Sequence, residues 1–178
     1  NYDIFYIDLW GVIHNGVNLH ENAIEALEEI TKAKKQYVLL TNAPRPNSSV
    51  SLFLEKMGMN KKIREKVFSS GEASLSYLKK NFLNEKFFHL GPPRDFDLFL
   101  DFKKNKTEDI KESFYLLCTG LFEDQGEDLN YYKELLKEHI SKKMICTNPD
   151  LVVDKGKKRE LCAGSVALVF EKMGGKVT

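Results

Sequence analysis

Short apolar runs alternate with amphipathic stretches along the first 82 residues. Residues 4–7 are an unbroken β-branched and aromatic run that stops at Asp8 and Gly11, the pattern of a parallel-sheet strand buried on both faces. Residues 21–35 place Ile24, Leu27 and Ile30 on one stripe and Glu25, Glu28, Glu29 and Lys32 elsewhere, which predicts an amphipathic helix. A second buried strand follows at 37–40. Pro44 and Pro46 break the chain and Asn47 is a capping residue; Val50, Phe53, Leu54 and Met57 then recur at helical spacing before Gly58. A short strand at Val67 and Phe68 and a helix over 72–80 complete an alternating half-sheet of Rossmann-like type.

The texture changes near residue 82. Residues 86–90 read as a strand, Gly91-Pro92-Pro93 as a turn, and 101–113 are highly charged. Alternation then resumes with a strand over 114–118, a helix over 128–140 on Leu129, Tyr132, Leu136 and Ile140, and a strand over 144–147. A last helix carries Val166, Val169, Phe170 and Met173 and closes at Gly174-Gly175. The expected class is α/β, with no internal repeat or heptad array.

At 178 residues, 42% hydrophobic and 30% charged, the chain suits one packed domain, or one domain carrying an insertion. Lys plus Arg number 27 against 26 acidic residues, so no basic field exists to attract nucleic acid. Only Arg45, Arg64, Arg94 and Arg159 offer guanidinium forks for anions. No apolar run approaches a membrane span, and the amino terminus lacks the order of a signal peptide. Cys118, Cys146 and Cys162 form no CxxC pair and read as core thiols of a reducing compartment. The expected location is cytoplasmic. The sequence opens at Asn1 without an initiator Met, and residues upstream are expected.

Two segments carry candidate chemistry. The first, Asp8-Leu9-Trp10-Gly11-Val12-Ile13-His14, sets a carboxylate at the carboxyl end of the first strand, where open α/β sheets bind ligands; Asp8 is equally suited to satisfying loop amides. The second, Thr41-Asn42-Ala43-Pro44-Arg45, ends the next strand with a hydroxyl and an amide, a pattern shared with plain strand exits. If the two strands are adjacent and parallel, carboxylate, hydroxyl and loop N–H groups share a crevice that can hold a phosphate beside a nucleophile, given Mg²⁺.

Together these segments resemble the haloacid dehalogenase (HAD) superfamily of phosphohydrolases, and within it subfamily IIA, the group of NagD, pyridoxal phosphatase and 4-nitrophenyl phosphatase. Their order supports the resemblance: an Asp-x-x-Gly-Val strand end, a Thr-Asn strand end, Ser69-Ser70-Gly71, Thr147-Asn148-Pro149-Asp150, and the tail from Leu161-Cys162-Ala163-Gly164-Ser165 to Lys176. The resemblance implies a Rossmannoid core over 1–82, a type C2 cap over 83–174 and a return to the core at 175–178. It implies that Asp8 is the nucleophile that forms an aspartyl-phosphate and, with the backbone carbonyl of Trp10, binds Mg²⁺. Thr41 and Asn42 would bind the phosphoryl group. Arg45 would either reach a substrate phosphate or brace its loop. Asn148 and Asp150, with the basic run from Lys155 to Arg159, lie where similar proteins select substrate; the run also suits a plain solvated loop.

Two departures stand out. The family usually has an Asp two positions after the nucleophile as acid and base, and Trp10 stands there; His14 would substitute or, more simply, pack locally. The family's Gly-Lys-Pro lysine and Gly-Asp motif have no counterpart before Thr178, and Lys176 reads as a turn lysine rather than a replacement. An inactive fragment with an open sheet edge beside Asp8 is therefore expected. The first functional expectation is a Mg²⁺-dependent phosphatase of a small phosphorylated metabolite, with a homodimer through the cap. A catalytically weak metabolite-binding sensor is the second, and a plain nucleotide binder, which lacks any GxGxxG, the third.

Overall fold

The computed structural model describes residues 2–155 and 158–178. The first unit runs β1 (Ile4–Asp8), α1 (Glu21–Lys32), β2 (Gln36–Thr41), α2 (Asn47–Lys56), α3 (Lys61–Arg64), β3 (Val67–Ser69) and α4 (Ser70–Asn81). Its three strands are parallel in the order β1-β2-β3, so β1 is an edge strand beside Asp8. Leu27 of α1 and Val50 and Leu54 of α2 bury one face, against Tyr37, Leu39 and Val67.

The other face stays open. Ile4, Tyr6, Leu40 and Phe68 project from it and are exposed, so β1 is not the strand buried on both faces that its composition predicts. The reason lies in α4. Its Leu78 packs with Phe87, Leu98 and Tyr115 of the second unit rather than back over β1.

The second unit contains β4 (Phe87–Leu90), 3-10 turns over Pro93–Asn105, β5 (Lys106–Thr107) and a 3-10 turn at Ile110–Glu112. It continues through β6 (Tyr115–Cys118), α5 (Leu129–Leu136) and β7 (Lys143–Cys146) to β8 (Val152–Lys155), β9 (Lys158–Leu161), α6 (Ala163–Lys172) and β10 (Lys176–Val177). Five strands form a parallel sheet in the order β10-β7-β6-β4-β5. Tyr132 and Leu136 of α5 and Val166 and Phe170 of α6 cover one face; the other lies against α4 and the 93–105 turns. Counted from β4, this is the doubly wound order 2-1-3-4-5, whose switch point falls between β4 and β6.

Three segments differ from the sequence pattern. The charged stretch 101–113 folds into 3-10 turns and β5, because Phe99 and Phe102 are buried while its charges stay outside. The basic loop is an antiparallel hairpin of β8 and β9; Gly156 and Lys157 lie outside the described residues. Residues 176–177, expected to start a return to the core, instead pair with β7 as the sheet's edge strand.

A polar cluster closes the switch point. Thr119 Oγ1 lies 2.8 Å from His89 Nε2 and is close enough to the buried Asp95 to influence its carboxyl. Gly91 is required here, since a Cβ on it would lie 2.1 Å from the Thr119 hydroxyl. Burial holds His89 down to about 4 and is the largest cause lifting Asp95 to about 6, offset in part by Thr119 and Arg94.

The loop that follows β2 is clamped from α4. Ser69 Oγ donates to the Arg45 carbonyl (2.6 Å) and accepts from Glu72 N (3.0 Å). Gly71 N donates to the Ala43 carbonyl, Ser69 N to Asn47 Oδ1, and Asn47 N to Glu72 Oε2. This is why Ser69-Ser70-Gly71 opens the helix: Ser69 caps α4, and only glycine lets it approach the loop.

Two outcomes follow from these contacts. A Cβ at Gly71 would sit 2.2 Å from the Arg45 backbone nitrogen, so Gly71→Ala is expected to destabilise the protein by about 1–3 kcal/mol in urea unfolding, the usual range for overpacking; a loss below roughly 0.5 kcal/mol, the scatter of neutral substitutions, would contradict the clamp. For Asp95, the folded state holds a proton between pH 4 and 6 that the unfolded chain has released, so its contribution is present at low pH and is lost as pH rises through about 6. Asp95→Asn should therefore gain on wild type, by at most roughly 3 kcal/mol, between pH 4 and 7. A pH-independent difference in unfolding free energy would contradict this.

Candidate functional site

The carboxyl ends of β1 and β2 build the site. Asp8 stands level with Leu40 in the parallel register, so its exposed carboxylate and the half-buried Thr41 share the end of adjacent strands. Thr41 Oγ1 accepts from Ala43 N at 3.3 Å, turning the chain into the clamped loop.

After Asp8 the chain folds into a tight turn. The Leu9 carbonyl accepts from both Ile13 N (2.9 Å) and His14 N (3.2 Å), and Gly11 N donates to the His14 carbonyl (2.7 Å). Gly11 takes a φ of 78°, open to glycine at little cost. Among the described residues no backbone amide donates to the carbonyl of Trp10. Its indole lies across Gly16, where a Cβ would come within 2.7 Å of the ring.

His14 is a packing residue. It is buried, its Nδ1 accepts from Gly16 N at 3.0 Å, and its ring meets Trp10 and Phe53 edge to face. Burial lowers its pKa against the opposing pull of Asp8, so it is neutral at pH 7, with its proton on Nε2.

Three contacts bring the second unit over this edge. Asn42 Nδ2 donates to Asp150 Oδ1 (2.9 Å), and Trp10 Nε1 donates to the Asp154 carbonyl (3.1 Å). The Arg45 guanidinium pairs with Asp97 (2.9 Å) and donates to the Arg94 carbonyl (3.2 Å). Of the two roles open to Arg45, the one its contacts show is the brace.

The 147–151 loop is itself rigidly held. Asn148 Oδ1 accepts from Asp150 N, Gly164 N donates to the Asp150 carbonyl, and Ser165 Oγ donates to the Leu151 carbonyl. A Cβ at Gly164 would lie 2.3 Å from the Pro149 carbonyl oxygen, so the start of α6 fits directly beneath the loop. Nearby, Arg159 chelates Asp154 through two hydrogen bonds and Lys158 pairs with Glu160, which neutralises part of the basic run.

Structure thus sets Asp8 and Thr41 at the ends of adjacent strands and joins Asn42 to Asp150, whereas Asn148 serves its own turn. Sequence reading missed Asp97 and Asp154, which lack motif spacing, and Asn47 and Glu72, whose only signal was their capping chemistry. A cavity of about 780 Å³ opens at the ends of β4 and β6, walled by Phe96, Phe99, Phe122 and Tyr131. None of the candidate site residues read from the sequence lines it. Among the described residues no group of three His, Cys, Asp or Glu side chains is arranged to hold a metal ion, and no helix is long and apolar enough to cross a membrane.

Residues 5–102, more than half of the chain, match the family model of haloacid dehalogenase-like hydrolases. No curated protein matches the sequence. Among solved structures, a haloacid dehalogenase-like hydrolase from Brucella suis 1330 is 30% identical, with a TM-score of 0.89 over 99% of this chain and 67% of its own. A putative nagD protein and the 4-nitrophenylphosphatase of Thermotoga maritima are each 22% identical, with TM-scores of 0.72; each aligns with 98% of this chain, which covers 68% and 66% of theirs. The chain thus spans about two thirds of the length of these relatives and shares their fold. On the family match and the Brucella suis relative together, the chain belongs to the haloacid dehalogenase-like hydrolases.

Proposed function

We propose that the protein to which this chain belongs is a Mg²⁺-dependent phosphatase of a small phosphomonoester, with Asp8 as the phosphoryl acceptor. The observation that carries this reading is the exposed Asp8 carboxylate at the end of β1, next to the end of β2, where Asn42 is held by Asp150 of the second unit. Phosphatase names among structures of the same fold support it.

The metal's fit is partial. The Asp8 carboxylate and the Trp10 carbonyl are hard oxygen donors of the kind Mg²⁺ takes, and among the described residues no backbone amide binds that carbonyl. They would supply two ligands to the ion; among the described residues no group of three His, Cys, Asp or Glu side chains is arranged to hold a metal. When bound, the ion would offset the repulsion between carboxylate and phosphoryl oxygens.

The chain's own part is positioning and attack. An Asp8 oxygen forms a bond to phosphorus as the bond to the leaving oxygen breaks, while the Thr41 hydroxyl and the loop amides after β2 orient the phosphoryl group. Nothing at position 10 supplies the leaving group's proton, because an indole N–H does not ionise in this range and Trp10 directs its own to Asp154. The loss of such a group costs about 10²- to 10⁴-fold, borne most by poor leaving groups. Asn42 and Asp150 would border the substrate, with Asn148 shaping the loop.

Trp10 also favours a second reading, a metabolite-binding protein of weak activity. Phosphate release from a panel of phosphomonoesters with Mg²⁺ separates the two. Asp8→Asn is expected to reduce turnover to below about a tenth of wild type, as loss of a nucleophile requires, with the fold intact by circular dichroism; retained turnover removes Asp8 from the role. Metabolite binding without any release of phosphate, equal in both proteins, would favour the sensor. Trp10→Asp should raise turnover on alkyl phosphates more than on 4-nitrophenyl phosphate, because only a poor leaving group needs protonation. An equal effect on both would assign Trp10 to packing.

A further inference from the structure

All three thiols of the chain lie around the carboxyl ends of β6 and β7, but two are placed differently from the third. Cys118 ends β6 and Cys146 ends β7, and the parallel register sets them directly opposite each other. Their side chains therefore leave the same face of the sheet, at a strand spacing of roughly 4.8 Å that lies inside the Cα separation of natural disulfides. The two thiols lie close enough that each is the largest influence on the other's ionisation. Other contacts of Cys118 are long, 3.8 Å to the Ala163 carbonyl and 3.9 Å to that of Gly120. Cys146 donates to the Asn148 carbonyl at 3.2 Å.

We propose that Cys118 and Cys146 form a dithiol that a peroxide oxidises to a disulfide, and that closing the bridge loosens the 147–150 loop over the Asp8 site. Cys146 is the entry point, being half-buried where Cys118 is wholly buried. Its thiolate attacks a peroxide oxygen: the S–O bond forms, the O–O bond breaks, and the departing hydroxide takes a proton to become water. Cys118 sulfur then attacks Cys146 sulfur, the S–O bond breaks, and the oxygen leaves as a second water with the proton from Cys118. Two thiols and one peroxide give one disulfide and two waters.

The electrostatics of the pair suit this order. The neighbouring Cys118 lowers the Cys146 thiol, while the same neighbourhood and burial push Cys118 well up, so the thiolate forms on the sulfur that solvent reaches. Cys162 is the spectator. It stands at the N-cap of α6, a place that by itself favours thiolate, but burial dominates and pushes it up to about 11.

The consequence for the loop is local. A bridged Cys146 has no proton to give, so the Asn148 carbonyl loses its donor. The same four residues carry Asp150, which holds Asn42 at the end of β2. The bridge thus acts one residue from a loop that closes the site, and its chemistry holds whether or not the protein hydrolyses phosphate.

Treating the folded chain with hydrogen peroxide, then alkylating and mapping peptides without reductant, tests the proposal. Free thiols are expected to fall from three to one, with a Cys118–Cys146 cross-linked peptide, alkylated Cys162, and full recovery in dithiothreitol. Cys162→Ala should lose both remaining thiols in the same way, and Cys118→Ala should stop at a sulfenic acid on Cys146 that dimedone captures. Three unreacted thiols under peroxide that oxidises free cysteine, or a bridge that includes Cys162, would overturn the assignment. Amide exchange over 147–150 should quicken at least tenfold in the bridged form; unchanged exchange would overturn the link to the site.

Discussion

Parallel pairing of β1 with β2 is the constraint on which the site depends. Asp8 and Thr41, 33 residues apart in sequence, stand at the carboxyl ends of adjacent strands because Asp8 is in register with Leu40. A slip of one residue would pair Asp8 with Leu39 or Thr41 and set the open face of one strand against the covered face of the other. The register is fixed by burial. Tyr37 and Leu39 lie on the face covered by α1 and α2, so β2 cannot slide without exposing them.

The second unit contributes by reach rather than by burial. Asn42 to Asp150, Trp10 to Asp154 and Arg45 to Asp97 are polar contacts between partly exposed groups, each worth on the order of 1 kcal/mol or less. Such contacts are weak enough to open for a ligand and directional enough to restore one geometry. Under them lie two rigid supports, the Ser69–Glu72 clamp on the loop after β2 and the start of α6 under the 147–151 loop. A soft interface between two stiff loops would suit the proposed role of admitting and enclosing a small phosphomonoester.

Most of the fold was legible in the sequence because apolar periodicity records burial. The strands at β1, β2, β6 and β7 and the stripe of α6 are such records. Where burial was not the cause, the pattern misled. β1 has the composition of a strand covered on both sides, yet Tyr6 and Ile4 face outward because α4 turns its Leu78 to the other sheet. The β8–β9 hairpin was hidden, since its strands are exposed and rich in charge. At the site, Asp8, Thr41 and Asn42 were legible from their place at strand ends. Asp97 and Asp154 were not, because a partner chosen by three-dimensional approach leaves no spacing in the chain.

The central claim is that Asp8 takes the phosphoryl group. Borohydride reduces an aspartyl-phosphate to homoserine and leaves a free carboxylate untouched, so peptide mapping of protein quenched during turnover on a phosphomonoester, with Mg²⁺ present, reads the claim at a single residue. The account predicts homoserine at position 8 and nowhere else. An active protein with Asp8 unmodified, or with the label on another carboxylate, would contradict it.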